Sequence, residues 1–195
     1  MRTPRPPFVK GEYYHFYNRG AHRASIFREP SNFLFVIRKI KHYTQKLSLA
    51  PIAYCLMPNH FHYLIRQDGD QPAGLLPQLV FNSYVKAYNK MYQHNGTLFE
   101  GHFHAKHIQN YKHLIHLCRY IHGNPVKDGL TAAPEEWPYS NYLEWIGQRD
   151  GTLMDSAFIH DHFSSAQEYA DFVMGYLKSR QLPDEVRVYL DSIES

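Results

Sequence analysis

The chain is short of cysteine, of long apolar runs and of net charge, and each shortage narrows what it can be. Only two cysteines, Cys55 and Cys118, stand among 195 residues, each inside an apolar segment. That excludes a disulfide framework and predicts reduced core thiols. No stretch approaches the roughly 20 apolar residues that a membrane-spanning helix needs. The N-terminus has no apolar run of signal-peptide type, so a cytoplasmic location is the expectation. The formal net charge is +3, only a weak pull toward an acidic partner. There is no internal repeat and no low-complexity segment, which excludes a solenoid array.

What is present points elsewhere. Hydrophobic residues make up 44% and charged residues 20%, the balance of a soluble globular protein. The length suffices for one ordinary domain plus an extension. Fourteen histidines and sixteen tyrosines are the distinctive entries in the composition. Imidazoles bind metals and move protons. Phenols stack on unpaired bases and serve as nucleophiles. Close packing of an aromatic-rich chain is the plain alternative for most of them.

Met1 to Lys10 carries three prolines and several basic residues and reads as an extended arm. Tyr13 to Asn18 fits a strand ended by Arg19-Gly20. Ser31 is a candidate cap for a helix to about Lys46, with Phe33, Val36, Ile37, Ile40 and Leu47 at helical spacing. Ile52 to Met57 and His60 to Arg66 read as a hairpin about Pro58-Asn59. Leu76, Leu79, Val80, Tyr84, Ala87, Tyr88 and Met91 mark a long helix that stops before Asn95-Gly96. Phe99 to Ile108 contains the next strand. Asn110 can cap a third helix, with Leu114, Leu117, Cys118 and Ile121 on its buried face. Pro125 disfavours helical geometry at Asn124, so that helix is expected to end there.

The order of the first six elements predicts an α+β fold: a ferredoxin-like split βαβ core with an antiparallel sheet, followed by the third helix. From Leu130 onward an aromatic stretch with Trp137, Tyr139, Tyr142 and Trp145 reads as loop-rich. Weak helix patterns follow around Ala166–Leu177 and Pro183–Ile193. Residues 1–150 are expected to form the main domain with its arm, and 151–195 a C-terminal helical extension.

Two patterns carry possible chemistry. On a strand, alternate side chains share a face, so His60 and His62 point together and Phe61 points away. Two imidazoles so placed can ligate one divalent ion. His102-Phe103-His104 repeats the spacing and serves as an internal control. For that second pair, an exposed polar face near phosphates is the ordinary reading. On the third helix, His113, His116, Tyr120 and Asn124 lie at helical spacing along one side. That row is either a solvated face or a site. In the second case the Asn124 amide oxygen, near the helix C-terminus, could add an oxygen to the two histidines. The Tyr120 hydroxyl would then lie beside the ion.

A family resemblance covers roughly the first three-quarters of the chain. Met57-Pro58-Asn59-His60-Phe61-His62 resembles the HUH signature of single-strand DNA transposases with one catalytic tyrosine (the IS200-like transposases). Within these the chain is most similar to the REP-associated tyrosine transposases. Tyr14 to Gly20, Leu98-Phe99-Glu100-Gly101, Arg119 to Lys127, and Trp137-Pro138-Tyr139-Ser140-Asn141-Tyr142 resemble further family segments in the same order. The resemblance implies that His60 and His62 are metal ligands, that Asn124 is a third ligand or close neighbour, and that Tyr120 is the nucleophile. It implies magnesium or manganese as cofactor; nitrogen ligands sit more easily with manganese. It also implies cleavage and strand transfer through a 5′-phosphotyrosine, on single-stranded or hairpin DNA, by a monomer or homodimer. His116, one turn before Tyr120, is a candidate relay for the phenol proton, or else a surface histidine. Arg2, Arg5, Lys10, Arg19, Lys127, His102 and His104 are candidate DNA contacts. The last two replace the Arg and Lys common in the family, and neutral histidine attracts phosphate less. Competing readings are a catalytically silent single-stranded nucleic-acid-binding protein, a metal-dependent hydrolase that activates water, and a structural metal protein.

Overall fold

The structure, a computed structural model, describes residues 6–194. Arg2 and Arg5 of the expected DNA-contacting arm lie outside the described residues. Four strands, β1 (Tyr13–Arg19), β2 (Leu49–Met57), β3 (His60–Gln67) and β4 (His104–Ile108), form one antiparallel sheet in the order β2-β3-β1-β4. Helices α1 (Pro30–Leu47) and α2 (Leu75–Tyr92) make the two crossovers. This is the expected α+β, ferredoxin-like split βαβ arrangement.

The sheet is apolar on both faces because its strands alternate between two cores. Tyr14 and Phe16 of β1 and Phe61, Tyr63 and Ile65 of β3 pack into one cluster with Phe33, Val36 and Ile40 of α1 and Leu76, Val80 and Tyr84 of α2. On the other face, Ala53, Cys55 and Met57 of β2 and Leu64 of β3 meet α3 (Tyr111–Lys127) through Leu114, Leu117, Cys118 and Ile121. Helices α5 (Ser156–His162), α6 (Ala166–Ser179) and α7 (Asp184–Glu194) close that second layer. Both cysteines are buried and free. No helix among the described residues is long and apolar enough to cross a membrane.

Several boundaries move for identifiable reasons. Helix α1 begins at Pro30, not after Ser31, because a proline is pre-organised for the first helical position. Ser31 instead donates to the Glu29 carboxylate at 2.8 Å. Within the segment from Phe99 to Ile108 the strand itself is His104–Ile108. Phe99 turns into the core against Phe61 and Phe81 and keeps a single bridge to Gly20. Helix α3 does not stop at Asn124. It runs through Pro125 to Lys127, and the carbonyls of Asn124 and Pro125 accept from Asp128 and Leu130. A proline in the last turn forfeits one backbone bond, which the packing of Asn124 and Pro125 into the protein offsets.

The aromatic, loop-rich stretch also has a job. It holds a short helix α4 (Tyr142–Trp145) and covers the open edge of β2. The ring nitrogens of Trp137 and Trp145 donate to the carbonyls of Leu56 and Ile52 at 3.0 and 2.9 Å. Asn141 accepts from the Tyr54 amide at 2.7 Å and donates to Ile52 at 2.9 Å. An edge strand so covered cannot pair with another chain.

Two stability predictions follow from this packing. Gly123 of α3 lies against α6, and a Cβ there would sit 3.1 Å from Leu177 Cδ2 and 3.3 Å from the Tyr176 ring. Gly123→Leu is expected to push the helices apart and lower the urea midpoint by the equivalent of about 2–3 kcal/mol. Gly123→Ala should cost much less. His122 is fully buried between the Tyr169 hydroxyl and the Asn141 carboxamide, whose oxygen is 2.8 Å from Nε2. Burial lowers its pKa to about 4. Below pH ~6.5 the unfolded chain binds a proton there that the native protein refuses. Stability is therefore expected to fall as pH drops from ~6.5 to about 4, by up to ~1.4 kcal/mol per pH unit from this residue. Urea melts between pH 7.5 and 5 should show a shallower pH slope for His122→Gln than for the parent protein.

Candidate active site

The face of the sheet beneath α3 carries a polar row at one end. Register places Cys55, His62, Tyr17 and His104 side by side across all four strands, and Met57, His60 and Arg19 on the next rung. Alternation on β1 and β3 turns His60, His62, Tyr17 and Arg19 to this face, while Phe61 and Phe16 enter the other core. The row opens into a cleft of about 430 Å³ lined by His60, His62, Tyr17, Arg19, His104, Tyr120, Asn124 and Lys127, among others.

The expected pair is thus together. The His60 and His62 rings lie 5.2 Å apart, nearly perpendicular. His60 Nδ1 is 2.7 Å from the Asn59 amide oxygen, which only accepts, so the proton sits on Nδ1 and the lone pair on Nε2. His62 is buried, and its pKa is held well below the ordinary histidine value. Burial is the main cause, and the neighbouring His15, His60 and Lys127 add to it. A neutral imidazole is the form that ligates a cation.

Helix α3 supplies the other wall. Tyr120 is only 2% exposed, and its ring meets His62 edge-on at 5.5 Å. Lys127, two turns further along, holds its ammonium 5.0 Å above the Tyr120 ring. The Asn124 amide nitrogen donates to the Tyr120 carbonyl at 3.1 Å. That bond fixes the carboxamide and leaves its oxygen as the donor atom suited to a cation.

The donor set can be weighed by its chemistry. Among the described residues no group of three or more His, Cys, Asp or Glu is disposed to hold a metal ion. Two imidazoles and an amide oxygen are all neutral, so they fit a divalent ion that also takes phosphate oxygens from a substrate. They do not fit a permanent structural cage.

The other expected residues separate into those at the cleft and those away from it. Arg19 lines it and is ion-paired with Glu100. His104 lines it and stacks on Tyr17 at 4.9 Å with planes 11° apart. His102 precedes β4 and is exposed, and it is not among the lining residues, so the second His-x-His does not repeat the first. Lys10 precedes β1, at the strand end away from the cleft, and pairs with Asp70 at 3.1 Å. His113 meets Glu185 of α7 at 2.6 Å. His116 packs against Phe172 of α6, with centroids 5.4 Å apart, and does not line the cleft. Its Nδ1 is buried without a hydrogen-bond partner, and burial with the nearby Arg119 and His113 lowers its pKa to about 4.

Sequence reasoning missed His15 and Tyr17. Both lie on the strand read from Tyr13 to Asn18, and period-two alternation from Arg19 would have put them on the same face. Arg23, Asp128 and Ser192 also line the cleft; they carry no motif and are brought there by tertiary contacts alone.

No protein-family model matches the chain, and no curated protein matches it by sequence. Solved structures do. A REP-associated tyrosine transposase, determined bound to a REP hairpin, superposes with a TM-score of 0.64 at 18% identity, over 80% of this chain and 94% of that one. A Deinococcus radiodurans R1 protein assigned as a transposase gives a TM-score of 0.42 at 12% identity, over 62% and 95% of the two chains. The first of these matches extends over four-fifths of the residues: the chain has the fold of a REP-associated tyrosine transposase.

Proposed function

We propose that the protein is a transposase-like nuclease of the REP-associated, IS200-like type, which cleaves and rejoins single-stranded or hairpin DNA with Tyr120 as nucleophile. One observation carries the reading. The residues that the sequence motifs single out, His60 and His62 on β3 and Tyr120 and Asn124 on α3, line one cleft, although they are far apart in the chain. The shared fold with a transposase bound to a DNA hairpin supports it.

His60, His62 and Asn124 would hold a divalent ion, Mn²⁺ or Mg²⁺. When bound, that ion supplies charge stabilisation at the scissile phosphate. The chain's own residues do the rest. The Tyr120 oxygen attacks phosphorus, its proton is lost, and the bond to the 3′-oxygen breaks. The 3′-oxygen leaves and takes up a proton, and the phosphate stays on the 5′ side as phosphotyrosine. Attack by a second 3′-hydroxyl reverses the step and frees the phenol, so the phosphodiester count is conserved and no nucleoside triphosphate is consumed. Lys127, above the Tyr120 ring, favours both the phenolate and the incoming phosphate. Arg19 and Arg23 on the cleft wall suit backbone phosphates, and Tyr17 with His104 forms a stacked pair able to extend onto an unpaired base.

Incubation with labelled hairpin and single-stranded DNA and Mn²⁺, followed by a denaturing gel, is expected to yield a covalent protein–DNA band. That band should vanish with chelator, with Tyr120→Phe and with fully duplex DNA. Cleavage that survives Tyr120→Phe without a band would replace this reading with a water-activating hydrolase. Binding without cleavage across the library would leave a nucleic-acid-binding protein. His60→Ala and His62→Ala should each lower the cleavage rate by at least about a hundredfold, on the scale of losing transition-state charge stabilisation. The relay proposed for His116 meets a simple check. Because the side chain packs on Phe172 outside the cleft, His116→Ala is expected to cleave within a few-fold of the parent from pH 6 to 9. A large loss with a shifted pH profile would restore the relay.

A further inference from the structure

A third histidine stands behind the pair. His15 of β1 is fully buried on the α3 face of the sheet, and its Nε2 is 3.1 Å from His62 Nδ1. The two rings stack at 5.2 Å with planes 19° apart. The other nitrogen of His15, Nδ1, is hydrogen-bonded to the Tyr189 hydroxyl of α7, whose ring meets it edge-on at 5.9 Å. Lys106 of β4 holds its ammonium 5.8 Å from the Tyr189 ring. Burying an imidazole without charge partners is unfavourable unless both nitrogens are satisfied, and here both are.

From this geometry we infer that His15 is a positioning residue for His62: it accepts the His62 Nδ1 proton, so that His62 presents its Nε2 lone pair to the cleft. The inference rests on the reading of His62 as a ligand. The heavy atoms allow two polarities along the chain His62–His15–Tyr189. In one, His62 donates to His15, and His15 donates from Nδ1 to the Tyr189 oxygen; His62 Nε2 is then a lone pair. In the other, Tyr189 donates to His15 and His15 to His62. The proton then sits on His62 Nε2 and that nitrogen cannot bind a cation. Ligating histidines generally give their second N–H to such a partner, which fixes ring orientation and tautomer, and losing the partner typically weakens metal binding about 10–100-fold. His60 has its own partner in Asn59, so each imidazole of the pair is oriented separately, one by its hairpin turn and one through the sheet.

Manganese affinity is the readout, measured by EPR titration of free Mn²⁺ without DNA and repeated with a hairpin. His15→Phe keeps volume and removes the acceptor. It is expected to weaken Mn²⁺ binding roughly 10–100-fold, while circular dichroism and a cooperative melt show the fold retained. His15→Gln, whose carboxamide oxygen can still accept, should recover most of the affinity, and Tyr189→Phe should show a smaller loss than His15→Phe. Long-range nitrogen–proton NMR on the unsubstituted protein provides a second test should His15→Phe not fold. It should find His62 protonated on Nδ1 and not on Nε2. Unchanged affinity in a folded His15→Phe, equal losses in His15→Phe and His15→Gln, or a proton on His62 Nε2 would each overturn the inference. His62→Ala separates it from the reading beneath it. If His62→Ala leaves Mn²⁺ binding unchanged, the ligand assignment fails. If His62→Ala abolishes binding and His15→Phe does not alter it, only the role of His15 fails.

Discussion

The pairing of β1 with β3, in the register that sets Tyr17 opposite His62 and Arg19 opposite His60, is the constraint on which the rest of the molecule depends. Both strands are central, and both of their faces are covered. A slip of one residue on β3 would turn His60 and His62 into the aromatic core under α1 and α2 and push Phe61 into the cleft. The large apolar side chains on the far face, Tyr14, Phe16, Phe61 and Tyr63, therefore hold the polar row in place. Burial on one side of the sheet stabilises the chemistry presented on the other.

The second wall depends on how closely α3 can approach its neighbours. Gly123 lets α6 come into contact with the helix backbone next to Tyr120 and Asn124, whose side chains line the cleft. The helix carries Pro125 without breaking because its last carbonyls find partners beyond Lys127. Had it stopped at Asn124, Lys127 would not be held above the Tyr120 ring. Apolar residues between Met154 and Leu190 share a cluster with α3 and with the sheet, so the geometry of the tyrosine helix is set partly by segments that come after it in the chain.

The cleft is lined by the cations Arg19, Arg23 and Lys127 and the carboxylates Glu100 and Asp128. Arg19 is paired with Glu100, Lys127 faces the aromatic ring of Tyr120, and His62 is held neutral by burial. A divalent ion held there as proposed would bind weakly alone and more strongly with a phosphate present, because the anionic oxygens would supply the charge that imidazole and carboxamide lack. Such an ion would act on a phosphodiester and would not hold the fold together.

The sequence by itself determined a good deal. Period-two alternation put His60 and His62 on one face. Helical spacing put Asn124 one turn from Tyr120. The strand and helix order carried the split βαβ core, because each of these depends on local backbone geometry. Its error was also local: a proline inside the last turn of α3, taken for the end of the helix. Tertiary structure alone decided which histidines reach the cleft. His102 and His104 have the same spacing as His60 and His62, yet only His104 is within the strand and at the cleft. His116 has the spacing of a relay, yet α6 claims it. His15 carries no motif and sits behind His62, because sheet register and the packing of α7 bring together groups that are remote in the chain. Spacing reports what one element can present; which of those groups meet is set by the buried contacts between elements.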